Sequence, residues 1–306
     1  MLHRCILPCL LMTVYTPCAT TAGAEEPLLP VVGAAVDGAG LLIEIFTSEG
    51  CSSCPPVDAL LNRLVTEAEA KQLPVYGIAW HVDYWNKLKT KHGVWVDPFS
   101  ARWATERQAR YAQVVPRKPA WKGKLITPDI VIDGGRPDGD ASLQDFFGQR
   151  LQMAKPVTLT PIVERDGDDL IVTVATAGAA AGDHGHAVLL QRAATQAVTA
   201  GENHGKSLQH RNVVRAHGQT TLTGPDDDWQ LRLALPEGLE EVDTFVLTWV
   251  QEADALGIRG LAPAALPRAG TGEPEAELPA GDADLLFGQG PVCGPAGCDE
   301  ALSAHP

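Results

Sequence analysis

Two cysteines separated by two serines, Cys51-Ser52-Ser53-Cys54, are the residues of this chain best suited to chemistry. Their spacing lets one sulfur attack a partner's disulfide and the other resolve the mixed disulfide that results. Ahead of them, Leu41-Leu42-Ile43-Glu44-Ile45-Phe46 has the continuous apolar pattern of a buried strand. Behind them, Leu60, Leu61, Leu64, Val65 and Ala68 recur at three- and four-residue steps, which predicts a helix over 58–71. Pro55 and Pro56 are tolerable only in the first turn of that helix, where missing N–H groups cost nothing. The cysteine pair therefore falls at a helix N-terminus, whose partial positive charge and unpaired N–H groups favour thiolate. Cys51 is then the nucleophile, expected to be the more accessible and more acidic thiol, and Cys54 the resolving one.

Other chemistry is open to the same residues. Val75 to Val82 reads as a second strand running into His81 and Asp83. The carboxyl edge of an open α/β sheet is where ligands bind, so His81 is a candidate neighbour of the sulfurs. It could stabilise the thiolate, or join Cys51 and Cys54 in holding copper(I), a soft metal suited to thiolates. A third possibility is a structural disulfide in an interaction protein without catalysis. Haem attachment would need His directly after Cys54, where Pro55 stands.

The elements that must position this pair form an α/β order. After the second strand comes an aromatic-rich insert over 84–122, with Trp85, Trp95, Phe99, Trp103, Tyr111 and Trp121 and a helix within it over 100–114. Thr127-Pro128 leads into a short strand, Asp133-Gly134 marks a turn, and 141–154 reads as a closing helix. From Pro156 the texture becomes alternating, with strands over 157–164, 170–175, 186–192, 207–216, 229–235 and 243–251. Short strands at this spacing predict an antiparallel β-sandwich-like domain over 155–261. The remaining histidines, among them His186, His210 and His217, read as solvated loop residues of that region. Residues 262–306 read as a Pro/Gly/Ala-rich tail carrying a second cysteine pair.

Composition narrows the partners. The 306 residues carry 24 Lys and Arg against 38 Asp and Glu, a formal charge of −14, and no basic stripe overrides it. Such a surface repels phosphate backbones, so no nucleic-acid partner is expected. Arg4, the apolar run from Ile6 to Val14 and the small residues Ala22-Gly23-Ala24 have the pattern of a signal peptide over 1–24. The run is too short to span a bilayer, so no membrane span is expected. Cleavage there reduces the seven cysteines to Cys51, Cys54, Cys293 and Cys298, an even number suited to an oxidising exported compartment. Gly294-Pro295-Ala296-Gly297 is turn-forming, so Cys293 and Cys298 are expected to bond to each other, as a local staple or as a tethered second redox pair.

Over 38–154 the sequence resembles the thioredoxin superfamily. Cys51-Ser52-Ser53-Cys54 stands where that family has its redox motif, and Thr127-Pro128 looks like its cis-proline. The resemblance implies a thioredoxin-like α/β domain over 25–154, with Thr127 and Pro128 beside the sulfurs. It also implies that Glu44 stands near the place of a buried acid able to accept and return the Cys54 proton. More closely, the chain looks like a secreted bacterial thioredoxin-like family known only as a domain of unknown function. The shared words are Glu44 through Pro56, His81-Val82-Asp83-Tyr84-Trp85, Thr127-Pro128, Gly201-Glu202-Asn203 and Asn212-Val213-Val214-Arg215. The expectation is thiol–disulfide exchange on an exported protein substrate or redox partner, without a cofactor.

Overall fold

The computed structural model describes residues 27–29, 40–115, 122–136, 143–239 and 243–267. β1 (Leu41–Thr47) runs into the cysteine loop, and α1 (Pro55–Ala70) returns the chain to β2 (Val75–His81). β1 and β2 pair in parallel, Leu41 opposite Val75 through Thr47 opposite His81, as the expected strand–helix–strand order requires. Gly77 is what lets α1 lie so close. A Cβ there would stand 2.5 Å from the Leu61 side chain and 3.1 Å from Val65.

The insert supplies a small hairpin of β3 (Lys89–Thr90) and β4 (Gly93–Val94), then α2 (Arg102–Val114). β5 (Asp129–Ile132) pairs antiparallel with β1, and α3 (Leu143–Leu151) packs on the same side as α1. Successive side chains of β1 point to opposite faces. Leu41, Ile43 and Ile45 face α1 with Leu61, Leu64 and Val65, whereas Leu42 and Phe46 face α2 with Ala104 and Tyr111.

Beyond residue 156 the sequence changes texture but the sheet does not stop. β8 (His184–Ala197), β9 (Ser207–Thr221), β11 (Thr244–Gln251) and β12 (Ile258–Ala264) continue it, giving the order β12-β11-β8-β9-β2-β1-β5. Ala79 of β2 stands opposite Val213 of β9. Only β6 (Thr158–Asp166), β7 (Asp169–Ala177) and β10 (Trp229–Ala234) form a separate antiparallel sheet, in the order β10-β7-β6. Its Leu170, Val172 and Val174 pack against Leu189, Val246 and Val250 of the large sheet. The expected self-contained antiparallel sandwich is thus corrected: a mixed seven-stranded sheet runs through both halves, with a three-stranded sheet laid on its far part. The reason is that alternation reports which face a strand buries, not which strand it pairs with. β12 also crosses into the region read from sequence as tail.

Candidate functional site

Cys54 caps the N-terminus of α1, with Pro55 and Pro56 in the first two helical positions. The loop before it is a tight turn: the Cys51 N–H donates to Ser48 O at 3.1 Å, and the Cys54 N–H to Cys51 O at 3.2 Å. Both cysteines are free thiols and both are buried, Cys51 1 % and Cys54 0 % exposed. Cys51 Sγ lies 3.2 Å from Ser53 Oγ and 3.7 Å from the carbonyl oxygen of Thr127, which precedes Pro128 across a cis peptide bond. The hydrogen bond from Cys54 pulls the Cys51 thiol down to about 6, against its burial and with help from Ser53 and Thr127. The same contact, with burial, pushes Cys54 up. Acidity separates the two thiols, through their contact with each other rather than through the helix N-terminus; exposure does not.

Glu44 is not beneath the sulfurs. It is buried on the α2 face of β1, where Arg107 donates from Nε and Tyr111 from its hydroxyl to the carboxylate. A residue one step out of phase along a strand faces the wrong side. The α1 face instead carries Thr47, whose hydroxyl interacts with both Cys54 and Asp58 while meeting neither at full hydrogen-bond geometry. Asp58, four residues after Cys54 on the buried stripe with Leu61 and Val65, has neither carboxylate oxygen hydrogen-bonded. Burial pushes its carboxyl up, although His210, His81 and Thr47 oppose the shift. An acid in the apolar stripe of the helix was the sequence signal for it.

Two carboxylate–histidine pairs stand around Asp58. His81 Nδ1 lies 2.8 Å from Asp97 Oδ2, and His210 Nε2 lies 3.0 Å from Glu49 Oε1. The two rings meet edge to face at 4.8 Å, and each keeps its other nitrogen, His81 Nε2 and His210 Nδ1, unpartnered. Burial works against a charged His81, but Asp97 outweighs it and holds the ring above its ordinary value. Asp97 in turn is held low by His81 and by the N–H groups of Glu49 and Phe99, despite burial. Asp83, the other candidate at this strand end, instead accepts from Thr105 Oγ1 at the start of α2.

The aromatic insert divides between this site and the core. Trp85 donates from Nε1 to Thr127 Oγ1 at 2.7 Å, and Trp95 to Glu49 Oε2 at 3.0 Å. Phe99 packs on His81 and His210, whereas Trp103 and Tyr111 pack against Trp80 and Phe46 in the sheet core. From the far half of the chain, the β8–β9 loop closes over the cysteine turn. Asn203 Nδ2 donates to the carbonyls of Glu49 and Cys51, each at 2.8 Å, and Glu202 Oε2 accepts from Ser52 N–H at 2.9 Å. Gly201 makes the approach possible: its φ is +73°, and a Cβ would stand 2.8 Å from that of Trp95. A cleft of about 580 Å³ opens beside Ser52, between the Leu88–His92 stretch and Gly201-Glu202.

Sequence reasoning placed His210 in a solvated loop, and the structure corrects this: the ring is buried at the site, because β9 lies beside β2. His186 and His217 are also not loop residues. His186 stacks on Trp249 at 4.9 Å with Nδ1 3.2 Å from His217 Nε2, and burial with the nearby Arg107 pulls His217 down to about 3. Glu49, Asp58, Asp97 and Asn203 had no role in the sequence reading. Among the described residues, no group of three or more His, Cys, Asp or Glu side chains is placed to hold a metal ion, and His81 turns to Asp97 rather than to the two sulfurs. Among them too, no helix is long and apolar enough to cross a membrane. The signal-peptide pattern of 1–24, Trp121, Cys293 and Cys298 lie outside the described residues.

Residues 42–251 match the family described as a protein of unknown function, DUF1223. No curated protein matches the chain. The crystal structure of protein AGR_C_4864 from Agrobacterium tumefaciens is similar with a TM-score of 0.50 and 21 % identity, covering 78 % of this chain and 99 % of that one. A domain of the outer membrane lipoprotein Omp28 from Porphyromonas gingivalis matches 37 % of this chain and 88 % of its own, at 12 % identity and a TM-score of 0.24.

Proposed function

The chain belongs to the DUF1223 family, whose activity is unassigned, and from the geometry of its cysteine turn we propose that it carries out thiol–disulfide exchange on exported protein partners. The observation that carries this reading is the split between two adjacent thiols, Cys51 pulled down to about 6 and Cys54 pushed up. At neutral pH roughly nine-tenths of Cys51 is then thiolate, the reactive form. The thioredoxin-like resemblance of 38–154 and the Thr127 carbonyl oxygen 3.7 Å from Cys51 Sγ support the same reading.

Cys51 thiolate attacks one sulfur of the partner's disulfide, that S–S bond breaks, and the partner's leaving sulfur takes up a proton. Cys54 then loses its proton and attacks the Cys51 sulfur. The mixed disulfide breaks, Cys51 and Cys54 become bonded, and the partner's second sulfur leaves and is protonated. Two electrons pass from the Cys51–Cys54 pair to the partner, and the sequence is reversible. Thr47 stands where the Cys54 proton must leave, and its hydroxyl also interacts with Asp58. The signal-peptide pattern of 1–24 supports an exported, oxidising compartment for this chemistry.

Alkylation of Cys51 by iodoacetamide should follow a single titration with a midpoint near pH 6. A Cys54→Ser variant should accumulate mixed disulfides with exported proteins, and Cys51→Ser should not. A midpoint near the ordinary cysteine value, or equal trapping by both variants, would overturn the proposal.

A further inference from the structure

The cleft beside Ser52 is basic in a chain that is strongly acidic. Lys89 and Lys91 line one wall and Lys87 lies just before them in the chain, all three exposed, and none forms an ion pair among the described residues. The one acid in the cleft, Glu202, is engaged by the Ser52 N–H. The same hairpin exposes apolar surface: Leu88 is 42 %, Val94 44 % and Val96 63 % exposed. Its natural occupant is therefore acidic and partly apolar.

We propose that this cleft is the docking site of the chain's own residues 268–306, bringing Cys293 and Cys298 to Cys51 for an intramolecular thiol–disulfide exchange. The proposal rests on Cys51 being the exchange nucleophile. Residues 268–306 hold seven acids, Glu273, Glu275, Glu277, Asp282, Asp284, Asp299 and Glu300, against the single Arg268. Leu285-Leu286-Phe287 follows directly on Asp282 and Asp284, giving the acidic and apolar character the hairpin wall matches. Reach is ample. β12, which leads into this segment, stands five places from β1 in the sheet, about 24 Å at ordinary strand spacing. A full strand length adds roughly 23 Å at most. The 26 residue steps from 267 to 293 extend to about 86 Å. Tethering also places the tail cysteines at an effective concentration of order millimolar, above that of any free partner in dilute solution.

The exchange balances within the chain. Cys51 thiolate attacks one sulfur of the Cys293–Cys298 bond, which breaks, and the other tail sulfur takes up a proton. Cys54 loses its proton and attacks the Cys51 sulfur, releasing the second tail sulfur to be protonated. Two electrons move from one pair to the other, and in reverse the tail pair reduces an oxidised Cys51–Cys54 bond.

The test uses two variants of the chain, Cys54→Ser with Cys298→Ser and Cys54→Ser with Cys293→Ser, held dilute in a glutathione buffer. Non-reducing peptide mapping should find a Cys51–Cys293 or Cys51–Cys298 bond within one chain. Its rate of formation should fall about tenfold between low salt and about 0.5 M salt, as a charge-guided encounter does. A similar fall is expected when Lys87→Glu, Lys89→Glu and Lys91→Glu are added. An absent bond, a rate indifferent to salt and to the lysines, or a bond joining two chains would each overturn the docking. Reaction of Cys51 with 2-hydroxyethyl disulfide, followed in the same proteins, separates the two proposals. If Cys51 reacts there while no tail bond forms, the docking fails and the exchange reading stands; if Cys51 reacts with neither, the exchange reading itself fails.

Discussion

Asp58 is where the fold is least comfortable at the scale of one residue. Its carboxyl is buried with both oxygens unpartnered, and burial raises it above the ordinary carboxylate value. The sign of the consequence follows from linkage. A group whose folded value lies above its unfolded value binds more protons when folded, so the fold loses stability as pH rises past the unfolded value near 4. Of the groups facing it, His210 on β9, His81 on β2 and Thr47 on β1 reduce this cost without removing it, and the like charge of Asp97 behind His81 adds to it. Asp58→Asn keeps the shape and deletes the ionisation. It should leave stability near pH 4 unchanged and raise it at pH 8 by about 1–3 kcal/mol, the usual cost of an unsatisfied buried group. The same variant should slow attack by Cys54, because the Thr47 hydroxyl links the carboxyl to the thiol that must be deprotonated. Denaturant melts at the two pH values measure the first effect, and a loss of stability at pH 8 would mean that the carboxylate is well partnered after all.

Among the elements, the β8–β9 loop does the most for the site and was the hardest to read. Strand β1, helix α1 and the cysteine turn are local in sequence, so apolar spacing and the paired prolines announced them. Asn203 acts on the Cys51 turn across 152 positions, and nothing local in Gly201-Glu202-Asn203 signals that. His210 was misread for the same reason: strand pairing between remote segments leaves no periodic trace. Glu44 was misplaced by a parity error of one residue, which in a strand exchanges the two faces. Removing the Asn203 amide tests the loop's role. Asn203→Ala loses two hydrogen bonds to buried carbonyls, a cost of about 1–3 kcal/mol. Because both thiols lie under this cover, the variant should also be alkylated at Cys51 several-fold faster at fixed pH. Unchanged alkylation with lowered stability would make the loop a brace rather than a cover.

At the scale of the whole molecule, the continuous sheet decides what can fold alone. A thioredoxin-like unit read from the sequence ends near residue 154, yet the core on the α2 face of the sheet is built from both sides of that point. Leu42, Phe46, Ile78 and Trp80 pack there with Val188, Leu190, Val214, Leu247 and Trp249. Arg107 is held between the halves: Glu44 takes its charge, Gln251 accepts from it, and Trp80 and Trp249 lie against its guanidinium at 5.1 and 5.0 Å. Cutting the chain at 154 would open the β2 edge where β9 stands and expose Trp80 and Phe46. It would also leave Glu49 without His210 and the Cys51 turn without Asn203. A fragment of residues 25–154 should therefore fail to give a cooperative melt, while the chain through residue 267 should unfold in one transition seen alike by tryptophan fluorescence and far-ultraviolet circular dichroism. A fragment that melts cooperatively and keeps a Cys51 alkylation midpoint near pH 6 would show instead that the first half carries its own core, and that the second half only covers it.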